Sequence, residues 1–234
     1  MIIAHLLPLT NYLVNGQYVI VQPIASKFAE RCICTILTTN MSQLIKQGVA
    51  IRIPLNLITM IVYLFPTEME AKAFRRLCPD AEVIISGVGM VATAAAIASL
   101  DRRKHLVATD IVVLVGIAGA YGESVAVGDV VEVVSERCVD LPERFRQSYL
   151  QRVFHTKLRR VASNTVHAMG VEAEGAEIEN MEGAALFAMS EVIGFRAVEV
   201  RAISNRVGES FDKWHLDEAT AALAEALKRI NDGE

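Results

Sequence analysis

Residues 109–119 read TDIVVLVGIAG, and how that stretch is read decides the fold. Its apolar run is continuous rather than alternating, so both faces of the segment have to be covered. A strand of that kind lies inside a parallel sheet with helices on either side. Its neighbours in sequence agree. Upstream, IVYLF (61–65) reads as a strand followed by a helix in EMEAKAFRRLC (68–78), and AEVIISG (81–87) leads into the small-residue helix MVATAAAIASL (90–100). Downstream come GDVVEVVSERCV (128–139), LRRVASNTV (158–166) and AEIENM (176–181) as strands. The helix GAALFAMSEVI (183–193) closes at Gly194, and the strand FRAVEVRAIS (195–204) precedes a last helix, HLDEATAALAEALKRIN (215–231). PERFRQSYLQRVFHTKL (142–158) carries no clear period. The alternation predicts a single α/β domain with a mixed central β-sheet flanked by helices.

With 234 residues, 53% of them hydrophobic and 21% charged, the chain can bury one sizeable core. A net charge of −4 gives no basic footprint for nucleic acid. Cys32, Cys34, Cys78 and Cys138 match neither a zinc spacing nor a secreted disulfide framework, which points to a reducing, cytoplasmic setting. His5, His105, His155, His167 and His215 form no HxH or HxxxH pair, so no metal is expected. No serine or cysteine stands in a GxSxG context, which argues against acyl-enzyme chemistry.

Composition breaks near residue 60. The first 59 residues carry only Lys27, Glu30, Arg31, Lys46 and Arg52, a formal charge of +3, so the remainder carries −7 of the total of −4. Pro8, Asn11, Asn15, Gln17, Gln22 and Pro23 interrupt the apolar runs before they reach the ~20 residues of a spanning helix. A basic start and a cleavage pattern for secretion are missing too. Residues 1–59 are expected to be an appendage without a coherent fold, and 60–234 the functional domain. The alternative is a β-rich cap, with a hairpin about Asn15-Gly16 in TNYLVNGQYVIVQ.

GVGMVA (87–92) satisfies GxGxxA between a strand and a helix. The acidic partner of a dinucleotide site should end the next strand, whereas Asp110 begins it and Asp101 precedes a basic run, so no cofactor is expected. Polar groups nevertheless gather at strand ends: Glu68 and Glu70 after YLFPT, Ser86-Gly87, Met181-Glu182, and Ser204-Asn205. In parallel α/β sheets ligands bind at that edge. Glu182 either favours its own helix through the dipole or works on a ligand. Two carboxylates and a carboxamide in one cleft suit cleavage of an N-glycosidic bond, one carboxylate activating water and the other holding ribose hydroxyls.

Five stretches, PTEMEAKAF, SGVGMVATAAA, VGIAGAYGESVAVGDVV, IENMEGAA and RAISNRVG, resemble in order those of the purine nucleoside phosphorylase and nucleosidase superfamily. Within it they resemble the futalosine hydrolases, nucleosidases of one menaquinone route, more than the methylthioadenosine/S-adenosylhomocysteine nucleosidases. The resemblance implies that Glu70 activates water, Met181 and Glu182 grip the ribose, Ser86 and Gly87 line the ribose and water site, and Asn205, with Ser204 beside it, faces the base. It implies a homo-oligomer whose partners are a small nucleoside and water, with no role for nucleic acid or membrane. Adenine-directed nucleosidases carry Asp where Asn205 stands, so the amide implies a 6-oxopurine. Leu114 replaces the arginine that phosphorylases use for phosphate, and PTEME offers acids, so hydrolysis is expected. Glu68 reads as solvated. Trp214 and Phe211 either stack on substrate or pack, and Thr165-Val166 lacks the aromatic that the superfamily presents to the base. The other readings are a methylthioadenosine/S-adenosylhomocysteine-type nucleosidase, a nucleoside phosphorylase, or a catalytically silent nucleoside-binding protein.

Overall fold

A computed structural model describes residues 13–14, 17–18, 59–151, 156–168 and 172–232. Of the first 58 residues it describes two pairs, Leu13–Val14 (β1) and Gln17–Tyr18 (β2), joined antiparallel. The turn residues expected there, Asn15 and Gly16, lie outside the described residues, as do Cys32, Cys34, His5 and His155. Met60–Ile230 pack as one compact unit.

The chain order of this unit is β3 (Ile61–Phe65), α1 (Glu68–Leu77), β4 (Glu82–Ile85), α2 (Met90–Lys104), β5 (Ile111–Ala120), β6 (Val130–Cys138), β7 (Ser148–Leu150), β8 (Arg159–Thr165), β9 (Ile178–Asn180), α3 (Gly183–Ile193), β10 (Arg196–Arg206) and α4 (Leu216–Asn231). Short 3₁₀ turns occupy Glu143–Phe145 and Phe211–Lys213. The continuous apolar stretch is β5, placed between parallel β3 and parallel β10. From β5 the sheet runs outward through β3 to β4. In the other direction it runs through β10, antiparallel β6, β8 and β9, and β9 pairs antiparallel with the far end of β5. Five strands thus close a ring around a polar interior, and the sheet is mixed, as the alternation of elements predicts.

Each helix has a local cause. Thr67 caps α1, with Glu68 and Glu70 in its first turn and Arg75 and Arg76 in its last, complementing the dipole at both ends. Its Phe74 packs on Tyr63 and Phe65 of β3, with ring centroids 4.7 and 5.7 Å away. α3 ends at Gly194, whose φ of 99° is the left-handed geometry that glycine adopts at no steric cost. α4 buries Ala219, Leu223, Ala224, Ala226 and Leu227, the i, i+4, i+7 stripe of an amphipathic helix. The apolar core collects Val62, Leu64, Val112, Leu114, Ile97, Leu100, Leu186 and Ile203. Asp110 explains itself here: its carboxylate accepts from the Met60 and Val107 amides, tying the start of β5 to the start of β3.

Candidate active site

The first turn of α1 has the Thr-x-x-Glu spacing of a capping box. Thr67 Oγ1 accepts from the Glu70 amide at 3.3 Å and donates to Glu70 Oε2 at 2.5 Å. Only one carboxylate oxygen turns back to the cap of its own helix. The other crosses to β5, where Oε1 accepts from the Ile117 amide at 3.0 Å. That amide is open on this side because the β3–β5 register ends at Leu64 and Leu114. Burial pushes the Glu70 carboxyl above the usual range; Thr67, Ile117 and Arg201 pull it down, and Glu182 adds to the rise. A buried carboxyl held at a strand end and lifted in this way suits a base, since its proton affinity is raised.

Glu182 follows β9 and is 4% exposed. It stands at the N-cap of α3, yet its side chain does not cap that helix. Oε1 instead accepts from the Gly89 amide, at the N-terminus of α2, at 2.9 Å, and Oε2 accepts from Arg201 Nη1 at 3.1 Å. The α3 amides of Glu182 and Gly183 are served by Asn180 Oδ1 at 2.8 Å each, which leaves the Glu182 carboxylate to Gly89 and Arg201.

Arg201, fully buried on β10, organises the site. Its Nε donates to Glu199 Oε1 at 2.8 Å, Nη1 to Glu182, and Nη2 to Asn180 Oδ1 at 2.9 Å. Asn180 Nδ2 donates in turn to Glu136 Oε1 at 2.5 Å and to Ser163 Oγ at 2.8 Å, and Thr165 Oγ1 donates to Glu136 Oε2 at 2.6 Å. Burial, which opposes the arginine's charge, is overcome by Glu199 and Glu182, so the guanidinium is held charged. Burial lifts the Glu199 carboxyl well above the usual range, with Glu136 adding to it and Arg201 opposing. Glu136 is lifted by burial as well, against the hydrogen bonds from Thr165 and Ser163 and the pull of Arg201. A Cβ on Gly183 would come within 2.3 Å of Glu136 Oε1 and 2.5 Å of Glu199 Oε2, so the two carboxyls approach each other under the start of α3. Glu199 Oε2 finds no hydrogen-bond partner among the described residues, the position of a carboxyl that keeps its proton.

The structure brings some of the expected site residues together and sets others apart. Glu70 and Glu182 converge: Arg201 Nη1, the partner of Glu182, and Glu70 Oε1 lie within 2.5 and 2.9 Å of where a Gly116 Cβ would be. Ser86 and Gly87 end β4 beside them, Ser86 Oγ donating to the Phe65 carbonyl at 3.3 Å; it is Gly89, two residues on, that touches Glu182. Met181 lies half-buried between Asn180 and Glu182. Ser204 is fully buried and acts on its neighbour, its Oγ lying 2.8 Å from Asn205 Oδ1. Asn205 Nδ2 donates to the Arg206 carbonyl at 2.9 Å, and a β-bulge between Ile203 and Asn205 turns the amide onto the register of Gly119. Glu68 is exposed and pairs with Arg75 at 3.6 Å. Trp214 packs against Phe211 at 5.1 Å and, with Met69, His215 and Asp217, lines a cavity of about 430 Å³. Leu114 is core. No group of three or more His, Cys, Asp or Glu among the described residues is disposed to hold a metal ion. No described helix is long and apolar enough to cross a membrane.

Sequence reasoning misses Arg201, Glu199, Glu136 and Asn180. A signal is present in VEVR (198–201), where two charges at i and i+2 interrupt an apolar strand and therefore share one face.

Known structures share this fold. The 5′-methylthioadenosine/S-adenosylhomocysteine nucleosidase of Neisseria meningitidis, in complex with methylthio-immucillin-A, aligns with a TM-score of 0.65 at 18% identity, over 76% of this chain and 100% of that one. The native futalosine hydrolase of Helicobacter pylori strain 26695 aligns with a TM-score of 0.65 at 15% identity, over 76% and 100%. The chain has the nucleosidase fold. In sequence, the nucleosidase-fold chain is 47% identical to the futalosine hydrolase of Thermus thermophilus over 58 residues, 24% of this chain and 25% of that protein. The match therefore spans about a quarter of that relative's length. No protein-family model matches the chain.

Proposed function

We propose that this protein hydrolyses the N-glycosidic bond of a purine nucleoside, and that the nucleoside is futalosine, released as hypoxanthine and dehypoxanthine futalosine for menaquinone biosynthesis. The observation that carries the proposal is the meeting of Glu70, Glu182 and Arg201 around Gly116, at the carboxyl ends of the parallel strands. In this reading Glu70 takes a proton from water, Glu182 accepts from the ribose hydroxyls, and Arg201 keeps Glu182 ionised and in place. Asn205 donates to the purine N7 or O6, for an amide has no proton to give up. Phosphate is a poor nucleophile for this site because Arg201 is already paired with Glu182, and a dianion would meet Glu70. The resemblance to the Thermus thermophilus futalosine hydrolase supports the choice of substrate. We place the protein in the cytoplasm, as a homo-oligomer, with residues 60–234 as the nucleosidase domain.

The test is a panel of futalosine, inosine and methylthioadenosine, each with and without phosphate, on the parent protein and on Asn205→Asp. The expected outcome is free hypoxanthine at equal rates in both buffers, with a preference over adenine release of the order of 1–3 kcal/mol that Asn205→Asp erodes. Formation of ribose 1-phosphate overturns the hydrolase reading. Adenine release with hypoxanthine nucleosides untouched overturns the substrate.

A further inference from the structure

Beneath the start of α3 the donors serve one carboxyl fully and leave another half unserved. Glu136 is the satisfied one. Asn180 Oδ1 accepts from the Glu182 and Gly183 amides at 2.8 Å each and from Arg201 Nη2 at 2.9 Å. The Asn180 amide therefore lies only one way round, with Nδ2 donating to Glu136 Oε1. Thr165 Oγ1 is fixed likewise: it accepts from the Ala184 amide at 2.8 Å, which leaves its proton for Glu136 Oε2 at 2.6 Å. Both Glu136 oxygens thus accept from neutral donors, the pattern of an ionised carboxylate. Glu199 differs. Its Oε1 accepts from Arg201 Nε at 2.8 Å, while its fully buried Oε2 has no hydrogen-bond partner among the described residues. The residues in register with it, Leu114 on β5 and Val133 on β6, are apolar and offer none. The polar atom that does approach is Glu136 Oε1: it and Glu199 Oε2 crowd the place a Gly183 Cβ would take, at 2.3 and 2.5 Å.

Two carboxyl oxygens that meet away from water repel unless a proton lies between them. Glu136 already accepts at both of its oxygens, so the proton belongs to Glu199 Oε2. Burial lifts the Glu199 carboxyl well above the ordinary range, whereas in Glu136 the lift from burial is opposed by Thr165, Ser163, Arg201 and Asn180, which agrees with that order. Arg201 and, at the head of α3, Glu182 bring further charge to bear on Glu199. The proton decides where the charge of Arg201 acts. Neutral Glu199 still accepts from Nε and so fixes the guanidinium in angle, while the charge is left to Glu182 through Nη1 at 3.1 Å. Ionised Glu199 would take that charge for itself and stand as a second like charge near Glu182. We infer that Glu199 and Glu136 are positioning residues that share one proton, carried on Glu199 Oε2 and accepted by Glu136 Oε1, and that this neutral tether keeps Arg201 paired with Glu182 and Glu182 ready for the ribose hydroxyls. The inference rests on the nucleoside reading of the site and adds two residues to it.

Infrared difference spectra of the full chain against Glu199→Gln read the proton without any substrate. At neutral pH the parent is expected to show the carbonyl stretch of a carboxylic acid that Glu199→Gln lacks. Kinetics on futalosine and inosine read the tether, with thermal melts to check folding. Glu199→Ala should raise KM about tenfold. Glu199→Gln, whose amide accepts from Arg201 and donates to Glu136 as the acid does, should recover most of that loss. Glu136→Gln removes the charge that holds the proton on Glu199, so Glu199 ionises, draws Arg201 from Glu182 and raises KM. Adding Glu199→Gln to it takes away the group that ionises, and the double variant should have the lower KM of the two. A purely structural pair would instead show losses that accumulate. No carboxylic-acid band lost in Glu199→Gln, a Glu199→Gln that fails to fold or is no better than Glu199→Ala, or a double variant worse than Glu136→Gln overturns the inference. The lost band in a protein that splits no nucleoside would sustain the shared proton and sink the hydrolase reading instead.

Discussion

Two glycines three residues apart in β5 face opposite ways, and each makes room for a different chemistry. Around Gly116 the neighbours are ionic and locked: Arg201, Glu70 and Glu182 bind one another or backbone amides. Around Gly119 they are the Asn205 amide, a Val207 methyl and the stem of Glu179, whose carboxylate is bound by the Tyr121 phenol. The same residue type inside the same strand thus serves close packing of charge in one place and close packing of neutral and mixed groups in the other. A missing side chain in a strand interior costs packing, and here both gaps are taken up largely by polar groups.

The contrast breaks most sharply at Glu70. Glu70→Gln keeps the shape and the Ile117 bond but accepts no proton, and turnover should fall by about 10²–10⁴ while the melting temperature stays near the parent's. Turnover within a few-fold of the parent would remove Glu70 from the role of base.

The glycines are then separated by the same change. Gly116→Ala places a methyl 2.5 Å from Arg201 Nη1 and 2.9 Å from Glu70 Oε1, groups tied on several sides, so stability should drop by about 1–3 kcal/mol in a denaturant titration along with activity. Gly119→Ala meets Asn205 Nδ2 and Val207 Cγ2 at 3.2 Å, contacts that ease with a small shift. Its stability should stay closer to the parent's, with the loss appearing in KM. Equal damage from both would end the distinction.

Acidity should part stability from activity. Burial lifts the carboxyls of Glu70, Glu136 and Glu199, so the folded chain holds protons that the unfolded chain has released. Their stabilising contribution is full below the ordinary carboxylate range and is lost as pH rises through the lifted values. Melting temperature should therefore decline from mildly acid toward neutral pH while turnover, which needs ionised Glu70, climbs. Glu199→Gln should flatten the first curve. A parent curve that instead rises toward neutral would contradict the assignment. The smallest effect is expected from removing residues 1–59: a chain beginning at Met60 should fold and keep its turnover, and an insoluble product would move that boundary.

The strand and helix order was legible because periodicity, Thr67, Gly194 and the unbroken run in β5 are local signals, and the structure bears out the mixed sheet. The strand-end carboxylates were legible for the same reason, since an acid that follows an apolar strand stands out. Arg201, Asn180 and Glu136 were not, because their meaning lies in which strands pair. Asn180 matters only once β9 lies beside β8 and Arg201 only once β10 lies beside β5. The ring closure that joins β9 to the far end of β5 has no sequence signature, and it is what carries Glu179 to the register of Asn205.

That closure also sets a timetable for the growing chain. β3, β4 and β5 can assemble from consecutive segments, but Ile111 finds its partner Arg196, and Gly119 its partner Asn205, only after β6 to β9 have been made. Pairings so distant in sequence are slow to form. Until β10 emerges, β5 has a bare flank with no strand to cover it, and the nascent chain is exposed to mispairing over that interval.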